Sequence, residues 1–445
     1  VQKKDTEWKK LSYEHGHPAR EVIVVSNAEK GSETMSKEEV KREPVKDESK
    51  EEKPVVEDSM LVDVPDIPMP DAKAVEGEVI DDECAGAFRL AFIGTGQGGS
   101  RIAEAFYKLG YRRVCCVNTT GQDLVGISIP EENKLIMDVG SGGAGKNMEK
   151  GEEASRRYYE DIYDLMRRSF GKKFDRIVVC VGAGGGTGGG STNTIIEIAH
   201  DIAKSFRIED DDGKPAVGVI ASLPKVSEGA KTNENAYHLV NELLGLVGTS
   251  DGKMDGRTIS PLVIVDNDRI ERIYPNLPVA KFWKVANQSI SGLLHLFNNI
   301  AVQDSDYTTF DRADLEDILG SGVVSFGACP LTKWEQTTDI SHAIRDNLKN
   351  NVLVGGFDTS QARAAACVFV GSPDVLDEIP QEHLEHGFEM LSRTMRQGGV
   401  VHRGIYKGSK PGLVVYSILG ELGSPEERMA EIARTARVEE QKGRK

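Results

Sequence analysis

The sequence predicts an α/β fold built on a mainly parallel sheet, preceded by a long acidic segment with no core of its own. Three observations predict it. From residue 89 onward, short runs apolar at nearly every position alternate with longer stretches of helical spacing. Nearly every such run ends in Gly, Asn, Asp or Pro. Before residue 89 neither pattern is present.

Residues 1–88 carry 13 Lys and Arg against 23 Asp and Glu, −10 of the chain's net −16. Pro punctuates the stretch from 54 to 70. Such a segment buries too little apolar surface to offset its ordering entropy, so it is expected to be a disordered acidic tail. Its short patches Val22-Ile23-Val24-Val25 and Met60-Leu61-Val62 are candidate docking segments for an adaptor protein.

The apolar runs 90–93, 114–117, 135–137, 177–181, 217–220 and 262–265 read as strands. Helical stretches at 152–169, 191–206 and 229–247 lie between some of them. Strands apolar on both faces and alternating with helices indicate a sheet covered on both sides. A long helix is expected over about 279–302, with Phe282, Ile290, Leu293, Leu294 and Phe297 inside. Beyond Asp311 a smaller α/β unit follows. Its strands are expected at 323–326, 365–370, 400–406 and 413–418, with helices near 338–349 and 380–396. A charged surface or partner-binding helix is expected over 425–440.

No window approaches the roughly 20 apolar residues of a membrane span, and the start does not resemble a secretory signal. The six cysteines form no CxxC pair, and four lie inside strand-like runs. Free thiols in a reducing cytoplasm follow, and a metal site on cysteine does not. The acidic balance argues against a broad nucleic-acid surface.

Three glycine-rich loops carry the chemistry. Gly94-Thr95-Gly96-Gln97-Gly98-Gly99 follows the first strand and satisfies G-x-G-x-x-G, which lets backbone approach a phosphate at a helix N-terminus. A dinucleotide site also needs an acid at the end of the second strand to hold the ribose. Here that strand ends in Val117-Asn118-Thr119, which weakens a dinucleotide-dependent oxidoreductase. Gly140-Ser141-Gly142-Gly143-Ala144-Gly145-Lys146-Asn147 nearly spells a Walker A loop, but Asn147 lacks the hydroxyl that ligates magnesium. The third loop, Gly182 to Ser191, holds seven glycines between a buried strand and a helix expected from about residue 192. That density implies backbone N–H groups bared to an anion, with the helix dipole behind them and Thr187 adding a hydroxyl. Together the loops imply a polyphosphate gripped mainly by backbone, without a Walker lysine.

At this point the chain resembles the tubulin/FtsZ superfamily over roughly 89–420. Gly184-Gly185-Gly186-Thr187-Gly188 resembles its GGGTG signature. Gly94 to Gly99, Val117-Asn118-Thr119 and Gly143-Ala144-Gly145 resemble its first three nucleotide loops. Pro224 with Glu228-Gly229 resembles the fifth, whose acid meets the ribose, and Asp266-Asn267-Asp268 resembles tubulin's D-N-E.

The resemblance implies a Rossmann-like GTP-binding domain over 89–278, a core helix over 279–304 and a smaller activation domain over 305–421. A charged helix and tail would occupy 422–445. It implies GTP or GDP with magnesium as bound species, and head-to-tail filaments of identical subunits as the assembly. Trp283 and Asn287 match the aromatic that stacks on guanine and the amide that reads it, and Asn267 supplies a second amide. An amide offers a donor and an acceptor, which suits guanine's O6 and N1–H/N2–H edge. Asp311 and Asp314 match the acids that a neighbouring subunit inserts beside the γ-phosphate to polarise water. An N-cap with a first-turn carboxylate explains the same two residues structurally.

The chain also departs from FtsZ. Thr309 stands where FtsZ has Asn, Thr232 where it has Arg, and Gln288 where it has the base-reading Asp. Arg101 stands near the base where tubulin has Gln and FtsZ has Asn, with no role assigned by the resemblance. Three readings stay open: an assembly-activated GTPase, a GTP-binding filament protein with little hydrolysis, and the oxidoreductase.

Overall fold

The computed structural model describes residues 83–84, 86–140, 142–247, 257–350 and 352–437. Almost all of the segment expected to be a disordered tail (1–88) therefore lies outside the described residues, as do 438–445.

The sixth strand of the chain pairs with the seventh, giving one ten-stranded sheet in the order β3-β2-β1-β4-β5-β6-β7-β10-β8-β9. The first six strands are β1 (Leu90–Thr95), β2 (Val114–Asn118), β3 (Lys134–Ile136), β4 (Arg176–Gly182), β5 (Val217–Leu223) and β6 (Leu262–Asp266). All their pairings are parallel. The later strands are β7 (Val323–Leu331), β8 (Ala364–Gly371), β9 (Val400–Lys407) and β10 (Leu413–Leu422). β10 lies antiparallel between β7 and β8, and β9 adds parallel at the edge. The join between the two sets is short, only Leu262↔Val323 and Val263↔Val324.

Helices cover both faces. One face meets α3 (Met148–Arg157), α4 (Tyr159–Phe170), α5 (Gly186–Phe206), α6 (Ala230–Leu246), α10 (Thr337–Asn350) and α12 (Gln381–Thr394). The other meets α1 (Gly96–Lys108), α8 (Val279–Ile300) and α9 (Arg312–Leu319). Two cores result, and Phe92, Phe106, Phe297, Phe310 and Phe326 fill the second. Burial on both faces is why the strands read as continuous apolar runs. Three shorter helices are α2 (Gln122–Val125), α7 (Asn267–Ile273) and α11 (Pro373–Glu378). The six cysteines are free, with Cys115, Cys116, Cys180 and Cys367 buried in β2, β4 and β8.

Three local differences from the expected elements have physical causes. The helix expected over 152–169 is two helices that break at Tyr158, where ψ turns to 21°. The helix expected from about residue 192 starts at Gly186, so half of the glycine run is helix rather than loop. Low intrinsic propensity of glycine hides that start from any local reading. The third is α13 (Glu426–Ala436), which is not a freely solvated surface helix: Met429 and Ile432 are buried and it packs against α6. Among the described residues no helix is long and apolar enough to cross a membrane.

Candidate functional site

The carboxyl ends of β1, β2, β4, β5 and β6 open onto one cavity of about 430 Å³, within the roughly 300–1,000 Å³ of small-molecule sites. Two helices aim their N-termini into it: α1 begins at Gly96 and α5 at Gly186. Helix N-termini carry bare N–H groups and partial positive charge, which together bind phosphate. The loop from β3 to α3 forms a further wall. There Gly143 at φ +122° and Gly145 at φ +59° take conformations that side-chain-bearing residues rarely adopt.

The structure gathers nearly all of the sequence-predicted binding residues on this cavity. From α1 come Gly96, Gln97, Gly98 and Arg101, from the end of β2 Asn118, and from the loop after β3 Gly143, Ala144 and Gly145. The glycine run contributes Gly184, Gly185, Gly186, Thr187 and Gly188, and later segments Glu228, Asn267, Trp283 and Asn287. Gly94 is not on it. It lies buried in β1, where a Cβ would come within 2.6 Å of the Gly99 carbonyl oxygen, so its smallness seats α1 against the strand.

The glycine run also works differently from the bared-backbone expectation. A Cβ on Gly186 would meet Gly145 O at 2.6 Å and Asn147 N at 2.7 Å, and the Gly186 N–H already donates to Gly145 O. Gly190 is closed off by the Met148 carbonyl, and Gly151 of α3 by the Gly186 carbonyl. These glycines let α3 and its loop close onto α5. Gly185 is the open one, with its nearest outside atom 3.7 Å from a Cβ position.

Hydroxyls knit the cradle together. Thr119 Oγ1 and Thr187 Oγ1 are 2.6 Å apart, and the Ala144 N–H donates to Thr119 Oγ1 at 2.9 Å. Asn235 Nδ2 donates to the carbonyls of Lys146 and Gly184, tying two loops from α6. Asn147 caps α3 by accepting from the Lys150 N–H, an ordinary N-cap in place of a metal ligand. Asp123, Thr119, Thr120 and Lys146 line the cavity and were missed as binding residues. Asp123 accepts from Gln97 Nε2 at 2.9 Å and from Asn118 Nδ2 at 3.2 Å. Its only sequence signal is its place shortly after the second strand.

At the other end of the cavity Trp283 is 38 % exposed, which sets ordinary core packing aside for this ring. Glu228 is exposed and accepts from the Lys225 N–H at 2.9 Å. Behind Asn267 lies a buried ion cluster. Arg428 of α13 reaches Asp266 at 3.0 Å, Asp268 at 2.7 Å and the Pro224 carbonyl at 2.8 Å. Burial pushes the Asp266 carboxyl up to about 6 against the pull of Arg428. Asp268 also accepts from the Val226 N–H, so α13 moors both loops that carry Glu228 and Asn267. Nothing local in the sequence marks Arg428 for this role.

Asp311 and Asp314 lie away from the cavity, beyond the amino ends of β1 and β4. Arg312 between them sits 4.2 Å over the Phe88 ring, donates to the Ala87 carbonyl and lies 3.6 Å from Asp175. Phe88 and Asp175 precede β1 and β4, whose far ends reach the cavity. The six residues of β1 span about 20 Å. The two acids form a capping box at α9: Asp311 Oδ1 accepts from the Asp314 N–H at 3.0 Å, and Asp314 Oδ2 from the Asp311 N–H at 3.1 Å. Strand β9 holds this loop in place. The Phe310 N–H donates to Tyr406 Oη at 2.8 Å, and His402 sits 2.7 Å from Asp314 and 2.9 Å from Asp317. Among the described residues no group of three His, Cys, Asp or Glu is arranged to hold a metal ion.

A mainly parallel sheet whose strand ends and two helix N-termini open onto one glycine-lined cavity defines an α/β protein with a site suited to a phosphate-bearing ligand. Residues 89–249 match the model of the Tubulin/FtsZ family, GTPase domain. The cell division protein FtsZ of Methanothermobacter thermautotrophicus is 27 % identical over 307 residues, covering 67 % of this chain and 70 % of that protein. The tubulin-like protein TubZ of Bacillus cereus is 24 % identical over 312 residues, covering 64 % of this chain and 67 % of that protein. Among solved structures, a GTPγS-form protofilament of Bacillus thuringiensis serovar israelensis TubZ aligns with a TM-score of 0.66 at 20 % identity, over 79 % of this chain and 92 % of that one. A GTPγS-bound protofilament of CetZ2 from Haloferax volcanii aligns with a TM-score of 0.61 at 21 % identity, over 78 % and 97 %. Residues 89–249 thus match the GTPase domain of the Tubulin/FtsZ family, and the wider chain shares the fold of the TubZ and CetZ structures.

Proposed function

We propose that this chain binds GTP in the cavity and hydrolyses it where copies of the chain stack head to tail. One observation carries the reading. The phosphate cradle and the acids Asp311 and Asp314 occupy opposite ends of the same strands, so one chain's acids meet another chain's nucleotide only when the sheets stack end on end. A head-to-tail contact that does not close on itself extends into a filament. In segments, 89–278 would bind nucleotide, 279–304 would be the core helix, 305–421 the activation unit and 422–445 a charged end.

The residues of the cavity suit the nucleotide. Backbone and hydroxyl groups of the three loops would take the phosphates, Glu228 the ribose, and Trp283 with Asn267 and Asn287 the base. Magnesium would neutralise phosphate charge. With no three-residue ligand group among the described residues, it would rest mainly on phosphate and water, as this cation commonly does. Asp311 keeps one carboxylate oxygen outside the capping box and is available to orient water at a junction.

A second reading, a filament protein that hydrolyses slowly, is favoured by one feature. Both carboxylate oxygens of Asp314 are already engaged, by the Asp311 N–H and by His402. Measuring GTP turnover per subunit against protein concentration tests both. A rate rising above an assembly threshold supports the first reading, filaments without turnover support the second, and a constant rate in dilute monomer refutes the shared site.

A further inference from the structure

Arg101 sits on α1 five residues past Gly96, so about 7.5 Å along the helix from the N-terminus that faces the cradle. Its side chain lines the nucleotide cavity and also a second hollow of about 430 Å³, which shares Trp283 and Asn287 with the first. Among the described residues its guanidinium has no hydrogen bond, ion pair or ring contact. The carboxylates lining the same hollow are committed elsewhere. Glu104 accepts from the Ser128 N–H and hydroxyl at 2.8 and 2.7 Å and pairs with Lys108 at 2.8 Å. Asp123 is held by Gln97 and Asn118. A half-buried cation is thus left facing the end of the cavity where an aromatic and two amides meet. Partly desolvated charge of that kind is costly until an acceptor satisfies it.

We infer that Arg101 reads the O6/N7 edge of guanine and excludes adenine, an inference that rests on the guanine-nucleotide reading above. A guanidinium is donor only, in a planar fork. Guanine presents two adjacent acceptors, O6 and N7, to such a fork, whereas adenine replaces O6 with an amino donor that would oppose it. The amides of Asn267 and Asn287 carry a donor and an acceptor each and match the remaining N1–H/N2–H edge. The base would then be read on two edges, with Arg101 adding selectivity at O6 and N7 where Gln288 offers an amide in place of a carboxylate to N1–H and N2–H. The phosphates are an unsuitable target, because Arg101 stands more than a helical turn beyond the N-terminus that cradles them.

Calorimetric titration of the full chain with GDP, 7-deaza-GDP, IDP and ADP tests this. The 7-deaza analogue replaces only N7, and IDP lacks only the N2 amine. The wild type should bind 7-deaza-GDP about tenfold more weakly than GDP. Arg101→Met should bind the two alike and lose about tenfold in preference for GDP over ADP, while the IDP penalty persists. Asn287→Ala should show the converse, a smaller IDP penalty with the 7-deaza penalty kept. A wild type that binds 7-deaza-GDP within about twofold of GDP overturns the role of Arg101, and this comparison holds even if the variant fails to fold. A wild type that binds no GDP at about 1 mM instead overturns the guanine-nucleotide reading itself.

Discussion

Gly185→Val separates the nucleotide role of the glycine run from its packing role. Gly185 has φ −85° and ψ 154°, extended backbone that valine adopts readily, and its Cβ position is open toward the cavity. Valine there restricts the unfolded chain, which adds about 0.4–1 kcal/mol of stability. Loss of the N-cap preference for glycine removes up to about 1 kcal/mol. The folded protein should therefore keep its melting temperature within a degree or two without nucleotide. Gly186→Val contrasts with it, because its Cβ meets backbone at 2.6 to 2.8 Å. Overpacking against backbone that cannot swing aside costs about 1–3 kcal/mol or more, so this variant should melt several degrees lower by itself. GTP at 100 times its dissociation constant stabilises a binding-competent chain by about 2.7 kcal/mol. Wild type should show that upward shift in a thermal scan, and Gly185→Val should lose it because two methyl groups occupy the phosphate position. A Gly185→Val protein that binds GTP with wild-type affinity would refute the phosphate cradle at this loop. One that melts as low as Gly186→Val would refute the division of labour among the glycines.

Asp311→Asn keeps a capping acceptor and should retain GTP binding while losing on the order of 100-fold in assembly-dependent turnover. Mixed with Gly185→Val it should recover part of that turnover, since one kind of junction then joins an intact cavity to intact acids; a mixture as inactive as its parts argues against a shared site. Trp283→Ala should weaken GDP binding by about 1–2 kcal/mol with little change in melting temperature, because the ring is partly exposed; an unchanged affinity removes it from the base pocket. Arg428→Met should leave Asp266 and Asp268 buried without their cation and cost about 3–5 kcal/mol, lowering melting temperature and GTP affinity together in a paired thermal and binding measurement. Removing residues 1–82 should leave GTP affinity of 83–445 unchanged within about twofold while altering filament bundling through lost charge repulsion; a truncated chain that binds no GTP would put the boundary in the wrong place.

Sequence alone determined the strands, since both-face burial writes an unbroken apolar run such as 177–181 whatever packs on it. It also marked the three glycine loops, because glycine at that density between a buried strand and a helix implies backbone that something must approach closely. What the glycines do, however, was decided by tertiary structure. Gly186 and Gly190 are small because α3 closes onto α5, a contact between segments some 40 residues apart that no local pattern encodes. The start of α5 at Gly186 was hidden for the same reason, as helix propensity is local and packing overrides it. The joining of two strand sets into one sheet rests on two residue pairs between β6 and β7, which hydrophobic periodicity cannot announce. Arg428 reaches Asp266 across 162 positions, and Tyr406 and His402 grip the loop of Asp311 and Asp314 from nearly 100 residues away. Periodicity and motif spacing report what a residue's own segment must do. Which distant side chain completes a charge pair or steadies a loop depends on the closed fold, where burial makes those partners obligatory.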